Sequence, residues 1–168
     1  DWNENGGASN DLGDPVYAVA SGTIVAADNY GSGWGNIILV RHVMPDGSNV
    51  WSQYAHLQNI LVSSGSVARG QQIGTVGRGF NNEYSPHLHF EIRKTDRPAN
   101  AWVTGMTRDQ IRALYHHPTV FINANRNLSS CSNGTASLTN RDGGPPIHPP
   151  GSVIKLPLPS TTVYLIDS

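Results

Sequence analysis

The chain has 168 residues, which is enough for one domain with a single hydrophobic core and a short additional segment. Eleven Lys and Arg residues against twelve Asp and Glu residues give a formal net charge of -1, which argues against a nucleic-acid binder or a protein that binds anionic membranes. The single cysteine, Cys131, excludes an internal disulfide and a cysteine-based metal cluster. The sequence contains no apolar stretch with the length of a membrane span.

The first half of the chain is predicted to form short strands separated by glycine-containing turns, which is typical of an all-β fold. Charged residues make up only 14% of the sequence, and this low fraction also favours a turn-rich β protein over a helical one. We predict an antiparallel β-sandwich or open barrel. The predicted strands are residues 16–20, 23–26, 36–40, 50–54, 72–76 and 87–92.

One short helix is predicted near residues 107–116. Thr107 is a candidate N-cap, and Gln110 follows it at the spacing of a capping box. Pro118 is expected to end the helix, because the residue before a proline disfavours helical backbone. The apolar side of this helix is predicted to consist of Ile111, Leu114 and Tyr115.

From about residue 126 the sequence is dominated by Asn, Ser, Thr, Gly and Pro, with too few large apolar residues for a second core. We therefore predict one domain over residues 1–125 and an irregular linker or tail over residues 126–168. Within the tail, residues 153–156 and 162–166 are candidates for edge strands.

The clearest sign of chemistry is the segment that runs from His87 to Arg93. Side chains alternate across a strand, so His87, His89, Glu91 and Arg93 are predicted to share one face. Two imidazoles at positions i and i+2 lie side by side, so one can bind a metal while the other acts on the metal-bound water. The alternative is a solvated strand face that holds two histidines by chance.

The other histidines carry weaker signals. His56 ends a predicted strand, where loops commonly surround a functional site, although a lone histidine there is more often structural. His42 is interpreted as a structural residue. His116 and His117 are interpreted as helix-end residues that interact with terminal carbonyls. His148 lies in the proline-rich tail and predicts nothing.

Six short motifs place the chain beside a known family. They are residues 13–18 (GDPVYA), 21–25 (SGTIV), 35–38 (GNII), 54–57 (YAHL), 67–74 (VARGQQIG) and 86–91 (PHLHFE). In this order and spacing they resemble the landmarks of lysostaphin-type, or LytM-domain, zinc metallopeptidases. The resemblance covers residues 1–93. It implies a zinc-dependent endopeptidase that cleaves peptide cross-links of bacterial peptidoglycan and is secreted, periplasmic or associated with the cell wall. Separately, we expect the chain to be a monomer.

The resemblance also implies roles for individual residues. In this family an H-x-x-x-D element supplies two zinc ligands, and the second histidine of H-x-H supplies the third. Carried over, Asp1 and His89 are metal ligands for one zinc ion per chain. His56 and His87 are the histidines that activate water and stabilise the developing oxyanion.

The sequence departs from the family pattern at its start. The first histidine ligand would stand four residues before Asp1, so we expect the natural protein to continue upstream and the truncated domain to hold zinc weakly. Asp11 and Asp14 lie closer to the first strand and are interpreted as turn residues. The loop at residues 78–85 differs from the small loop usual before H-x-H, so the choice between glycine-rich bridges and D-Ala to diamino-acid bonds stays open.

Glu91 is interpreted as a salt-bridge partner of Arg93 or as a residue that contacts the metal ligands without binding the metal itself. Four residues of strand separate Glu91 from His87 by roughly 13 Å, which argues against Glu91 as a general base beside that histidine.

Two other functions are compatible with the sequence. One is a catalytically inactive LytM-type module that binds the wall or activates an amidase, because this chain lacks one expected ligand. The other is a carrier domain, since residues 67–74 also resemble the hairpins of biotinyl and lipoyl domains, and glucose-specific phosphocarrier domains have a related β-architecture. A carrier requires an exposed lysine in a tight hairpin or a lone phosphate-accepting histidine, and neither feature is evident.

Overall fold

The computed structural model describes residues 1–2 and 11–126. Residues 127–168, which include almost all of the predicted tail and its candidate edge strands, lie outside the described residues, as do Cys131 and His148. In the part of the chain that is described, no helix is long and apolar enough to cross a membrane.

The chain folds as an all-β domain, as predicted, with one antiparallel sheet that curls into a half-open barrel. The strands are β1 Pro15–Tyr17, β2 Gly22–Asn29, β3 Asn36–Val43, β4 Asn49–Ile60, β5 Gly65–Val67, β6 Gln72–Val76, β7 His89–Arg93 and β8 Tyr115–His116. Their order in the sheet is β1-β6-β4-β3-β2-β5, and β7 pairs with both β4 and β8. Within the described residues, all seven strand pairings are antiparallel.

Each predicted strand overlaps an observed one. The sequence pattern does not predict β5 and β8, because three and two residues are too few to show a strand alternation. The prediction of residues 87–92 as one strand starts too early, since His87 and Leu88 precede β7 and join the sheet only through single bridges to Gly77 and Trp2.

Apolar residues are buried on both faces of the sheet. In β3 the four consecutive residues from Ile37 to Val40 are all buried, as expected for a central strand that is covered on both sides. Ile38 and Val40 belong to the larger core, whereas Ile37 and Leu39 pack in a smaller core with Trp34. The smaller core supports the face on which the predicted site residues lie.

β4 changes its neighbour at His56. Residues 51–55 pair with β7 and residues 57–60 pair with β6, so β6 and β7 follow one another along the same side of β4. His56 stands at this junction with a φ of 61°, a conformation that is uncommon for residues other than glycine. Irregularities of this kind are frequent next to active sites, where they redirect a side chain.

The predicted helix is confirmed as α1, which spans Arg108–Leu114. Its start has the predicted capping box: the Gln110 amide donates to the Thr107 hydroxyl (3.3 Å), and the Thr107 amide donates to the Gln110 side chain (2.8 Å). The predicted end is wrong, because the chain leaves the helix at Tyr115 and forms β8.

A second helix, α2, spans Pro118–Asn125 and is absent from the prediction of a single helix. Pro118 is the first residue of this helix. Proline is common at this position because the first residues of a helix do not need an N–H group for hydrogen bonds within the helix. His116 and His117 therefore do not lie at the carboxyl end of α1, where the prediction placed them. His116 belongs to β8, and His117 is the N-cap residue of α2, at the opposite kind of helix end.

Candidate active site

The four predicted site residues lie together at the junction between β6 and β7. His56 comes from β4, His89 begins β7, and His87 stands two residues earlier in a bridge with Gly77. Asp1 is held beside them because its neighbour Trp2 forms a β-bridge with Leu88.

The distances among these side chains are short. The ring centroid of His56 lies 4.8 Å from that of His87 and 5.4 Å from that of His89. The Asp1 Oδ1 atom lies 3.0 Å from His89 Nδ1 and 3.7 Å from His87 Nε2. The structure thus brings together three imidazoles and one carboxylate, which are groups that can bind a metal and transfer protons.

Hydrogen bonds to main-chain carbonyls orient two of the three imidazoles. His56 Nδ1 lies 3.0 Å from the Trp34 carbonyl oxygen, and His87 Nδ1 lies 2.8 Å from the Ser85 carbonyl oxygen. A carbonyl oxygen only accepts, so Nδ1 carries the proton in both rings. In the neutral forms, the Nε2 atom of each ring is therefore left with a free lone pair.

Burial lowers the pKa of His56 to about 4, and the hydrogen bond to Trp34 only partly opposes this effect. The nearby His89 and His87 also disfavour a positive charge on His56. His56 is therefore neutral at neutral pH, as a proton acceptor must be.

We expect the pKa of His56 to appear directly in an NMR titration, with a midpoint near 4 for its Cε1–H signal. The unfolded chain binds this proton near pH 6.5, so His56 adds no pH dependence above that value and lowers the stability progressively as the pH falls from 6.5 to 4. His42 acts in the same direction, so urea unfolding is compared between the wild type and His56→Gln. Equal slopes of stability against pH in the two proteins would contradict the assignment.

His89 makes polar contacts with both ring nitrogens. Its Nδ1 faces Asp1, and its Nε2 lies 2.9 Å from Glu91 Oε1. The other Glu91 oxygen accepts from Arg93 Nε at 2.9 Å, which confirms the predicted salt bridge. Burial opposes ionisation of Glu91, but the hydrogen bond with His89 and the Arg93 charge together hold the pKa of its carboxyl below the usual value.

Aromatic side chains form two walls of the site, and the sequence motifs did not identify them. The Tyr84 ring lies 4.8 Å from His56 and 5.8 Å from His87. On the other side, the Trp34 ring packs edge-on against His89 at 5.2 Å and lies 4.2 Å from the ring of Trp102, which is half-exposed. The only sequence signal was the position of Trp34 and Tyr84 in loops next to the motifs.

Glu83 joins the two loops that carry these aromatic residues. One carboxylate oxygen accepts from the Ser32 hydroxyl at 2.6 Å, and the other accepts from the Gly33 amide at 2.7 Å. The hydrogen bonds from Ser32 and Gly33 hold the pKa of the Glu83 carboxyl below its usual value, so this connection is present at neutral pH.

We expect Glu83→Ala to release the loop at residues 31–35, since Ala has no group that accepts these hydrogen bonds. Amide hydrogen exchange at Gly33 should then become about fivefold to tenfold faster. The amide of Ser48 is the internal control, because it is bonded to a different carboxylate, that of Asp46. Unchanged exchange at Gly33 would show that Glu83 does not hold the loop.

The remaining predicted residues lie away from the site or in turns. His42 is buried, with its ring nitrogens bonded to the Ser21 carbonyl and the Ser52 hydroxyl, and this agrees with a structural role. Asp11 and Asp14 form a turn before β1, in which the Asp14 amide donates to the Asp11 carbonyl at 3.1 Å.

The donor set suits zinc in kind but supplies only part of a complete site. A carboxylate oxygen and an imidazole nitrogen are both zinc ligands, and Asp1 and His89 present them 3.0 Å apart. Among residues 1–2 and 11–126, no group of three or more His, Cys, Asp or Glu side chains is arranged to hold a metal ion. The described residues therefore fit two of the three protein ligands of a catalytic zinc site.

Over about half of its length the chain is similar in sequence to known bacterial proteins. The chain is 37% identical over 91 residues to the peptidoglycan DD-endopeptidase ShyA of Vibrio cholerae, an alignment that covers 54% of this chain and 20% of ShyA. It is 36% identical over 89 residues to the lipoprotein NlpD of Yersinia enterocolitica, covering 52% of this chain and 86% of NlpD. The chain thus spans about a fifth of the length of ShyA but most of the length of NlpD.

The chain also matches a solved structure and a protein-family model. A solution NMR structure of lysostaphin superimposes with a TM-score of 0.50 at 26% identity, covering 79% of this chain and 50% of that one. The family model for peptidase family M23 matches residues 7–101, which is more than half of the sequence. These results confirm the resemblance that the motifs indicated: the chain belongs to peptidase family M23.

Proposed function

We propose that this chain is a zinc-dependent endopeptidase that hydrolyses peptide cross-links of bacterial peptidoglycan. The observation that carries the proposal is the convergence of His56, His87 and His89, with the Asp1 carboxylate 3.0 Å from His89. Membership of family M23 and the similarity to ShyA, a peptidoglycan DD-endopeptidase, support this substrate class.

Asp1 Oδ1 and His89 Nδ1 are the atoms that would hold the zinc ion. When bound in such a site, zinc makes water a stronger nucleophile at neutral pH and polarises the carbonyl of the scissile peptide bond.

His56 and His87 are the proposed proton-transfer residues. Each ring has its Nδ1–H bonded to a main-chain carbonyl and a free Nε2 lone pair in the neutral form. Nε2 of His56 accepts a proton from the attacking water, because the low pKa of His56 keeps this atom unprotonated at neutral pH. Nε2 of His87 starts with a lone pair, so it first takes up a proton from the water and then passes that proton to the leaving amine. While it carries the proton, the same N–H group stabilises negative charge on the carbonyl oxygen.

The proposed substrate places the protein outside the cytoplasm, in the periplasm, at the cell wall or in the medium. The similarity to NlpD, which is described as a lipoprotein, supports an extracytoplasmic location. All four proposed site residues come from a single chain, so we propose that the monomer is sufficient for activity.

The proposal is tested by digestion of purified peptidoglycan and mass spectrometry of the released peptides. We expect product from the wild type, loss of product after chelation with 1,10-phenanthroline, and recovery when zinc is added. His89→Ala should release no product above background. His117→Ala is the matched control, because His117 is exposed and its side chain makes no capping hydrogen bond. Equal release by the wild type and His89→Ala would contradict the proposed site.

The second candidate is a catalytically inactive module that binds peptidoglycan or activates an amidase. It is favoured by one observation, namely that the described residues contain no group of three or more His, Cys, Asp or Glu side chains that could hold a metal ion, whereas a catalytic zinc site normally uses three protein ligands. Co-sedimentation with peptidoglycan separates the two candidates. Retention on the wall by a zinc-loaded chain without release of any peptide would favour the inactive module.

A further inference from the structure

We propose that Glu91 and Arg93 are positioning residues that hold His89 in the Nε2–H tautomer, and that the chain segment at residues 97–99 fixes them in place. This inference rests on the proposed function, in which the Nδ1 lone pair of His89 binds the metal. The role of Glu91 is thereby extended from a salt-bridge partner to the group that determines which ring nitrogen of His89 is available.

The arrangement begins at Arg93, whose side chain is fully buried. Its guanidinium donates to the main-chain carbonyls of Arg97 (3.2 Å), Pro98 (2.8 Å) and Ala99 (3.0 Å). Its Nε–H donates to Glu91 at 2.9 Å. A planar guanidinium held by four acceptors has one orientation, so the segment at residues 97–99 determines where the Arg93 Nε–H points.

Glu91 transmits this orientation to His89. One carboxylate oxygen accepts from Arg93, so the plane of the carboxylate is set by that contact. The other oxygen lies 2.9 Å from His89 Nε2. An ionised carboxylate can only accept, so Glu91 at Nε2 and Asp1 at Nδ1 (3.0 Å) compete for the single proton of the neutral ring. The Asp1 side chain is 61% exposed and hydrated, whereas that of Glu91 is 13% exposed and depends on protein donors, so the proton stays on Nε2 and the Nδ1 lone pair is left for a metal ion.

Gln53 is the residue opposite Glu91 in the neighbouring strand β4, and it does not compete for the carboxylate. Its side chain is fully buried, and neither amide atom has a hydrogen-bond partner within the described residues. His89 and Arg93 are therefore the side chains that hold Glu91 in place.

Glu91→Gln provides a sharp test, because an amide presents one acceptor and one donor group. The buried Arg93 needs the acceptor, so the amide oxygen should turn toward Arg93 and the NH₂ group toward His89 Nε2. An NH₂ group requires an acceptor, which converts His89 to the Nδ1–H tautomer and removes the lone pair from the side that faces Asp1.

The first readout is the ¹⁵N chemical shifts of the His89 ring in the metal-free full chain, which distinguish the two tautomers. We expect the Nε2–H form in the wild type and the Nδ1–H form in Glu91→Gln. The second readout is the affinity for zinc ion, measured by competition with a chromophoric chelator. Zinc affinity should fall by about 10-fold to 100-fold in Glu91→Gln. Asp109→Asn is the matched control, because this carboxylate is almost fully exposed and its ion pair is with Arg112 on the surface of α1, away from His89.

Glu91→Asp covers the case in which Glu91→Gln does not fold. It keeps the charge beside Arg93 but is one methylene shorter, so contact with His89 is lost and both tautomers should be populated. The two proposals can fail separately. If the His89 tautomer differs between the wild type and Glu91→Gln but the wild type binds no zinc, the positioning role is supported and the proposed function is contradicted. Variants that keep the Nε2–H tautomer and a zinc affinity within twofold of the wild type would overturn the inference.

Discussion

Replacement of His87 by glutamine is expected to lower kcat for peptidoglycan hydrolysis by about 10² to 10⁴, the contribution of a well-placed acid–base group. Glutamine has a similar reach and can keep a hydrogen bond to the Ser85 carbonyl, which His87 Nδ1 contacts at 2.8 Å. It cannot carry or release a proton at the position of Nε2. The variant should therefore retain its fold and its affinity for substrate while losing turnover.

The measurement is the rate of peptide release from peptidoglycan at several substrate concentrations, so that kcat and KM are obtained separately. His117→Gln serves as the control for the same chemical change at an exposed site. A loss smaller than tenfold, or a change in KM alone, would remove His87 from proton transfer and leave it a role in binding only.

Arg93→Met is expected to lower the free energy of unfolding by about 3 to 5 kcal/mol, which is typical when one partner of a buried ion pair is removed. Methionine fills much of the space of the arginine stem, so the loss does not come mainly from a cavity. It comes from the Glu91 charge, which loses its ion-pair partner, and from the carbonyls at residues 97–99, which lose their donors.

Urea unfolding at pH 7 measures this change, and Arg112→Met is its matched control. Arg112 pairs with Asp109 on the exposed surface of α1 at 3.6 Å, so its replacement should cost no more than about 1 kcal/mol. Adding Glu91→Leu to Arg93→Met should restore part of the stability, because the unpaired charge is then removed as well. A cost below 1 kcal/mol for Arg93→Met would show that the buried pair contributes little to folding.

The sequence was sufficient to predict the parts of the site that depend on strand alternation. His89, Glu91 and Arg93 lie on one face of β7, and their side chains form a continuous row of contacts. The pairing of this row with β4 also explains why His56 lies close to His89, since Ala55 is opposite His89. β4 itself continues past His56 to Ile60, so the prediction that His56 ends its strand is wrong. Short-range periodicity was enough here because both strands have alternating side chains over several residues.

The contribution of the loops was not predictable in the same way. Tyr84 and Trp102 reach the histidines from segments without regular alternation, and their positions depend on contacts between residues far apart in the sequence. The same holds for the carbonyls that bind Arg93, since they come from an irregular segment after β7. Local patterns cannot show where such segments return to the sheet.

The backbone conformation of His56 also explains part of the error at residues 87–88. Because β4 exchanges β7 for β6 at His56, the chain between Gly77 and Leu88 cannot continue either strand and joins the sheet only by single bridges. The alternating pattern at residues 87–92 therefore begins two residues before the strand β7 itself.

Selection for thermal stability and selection for hydrolysis should favour different residues at position 56. The left-handed backbone there carries a conformational cost of about 1 to 3 kcal/mol for most residues other than glycine, and the buried imidazole further disfavours the fold under acidic conditions. Asparagine tolerates this backbone better and does not titrate. A library of variants screened only for heat resistance at mildly acidic pH should thus accumulate asparagine and lose the proposed hydrolytic activity, which is a trade-off located in a single residue.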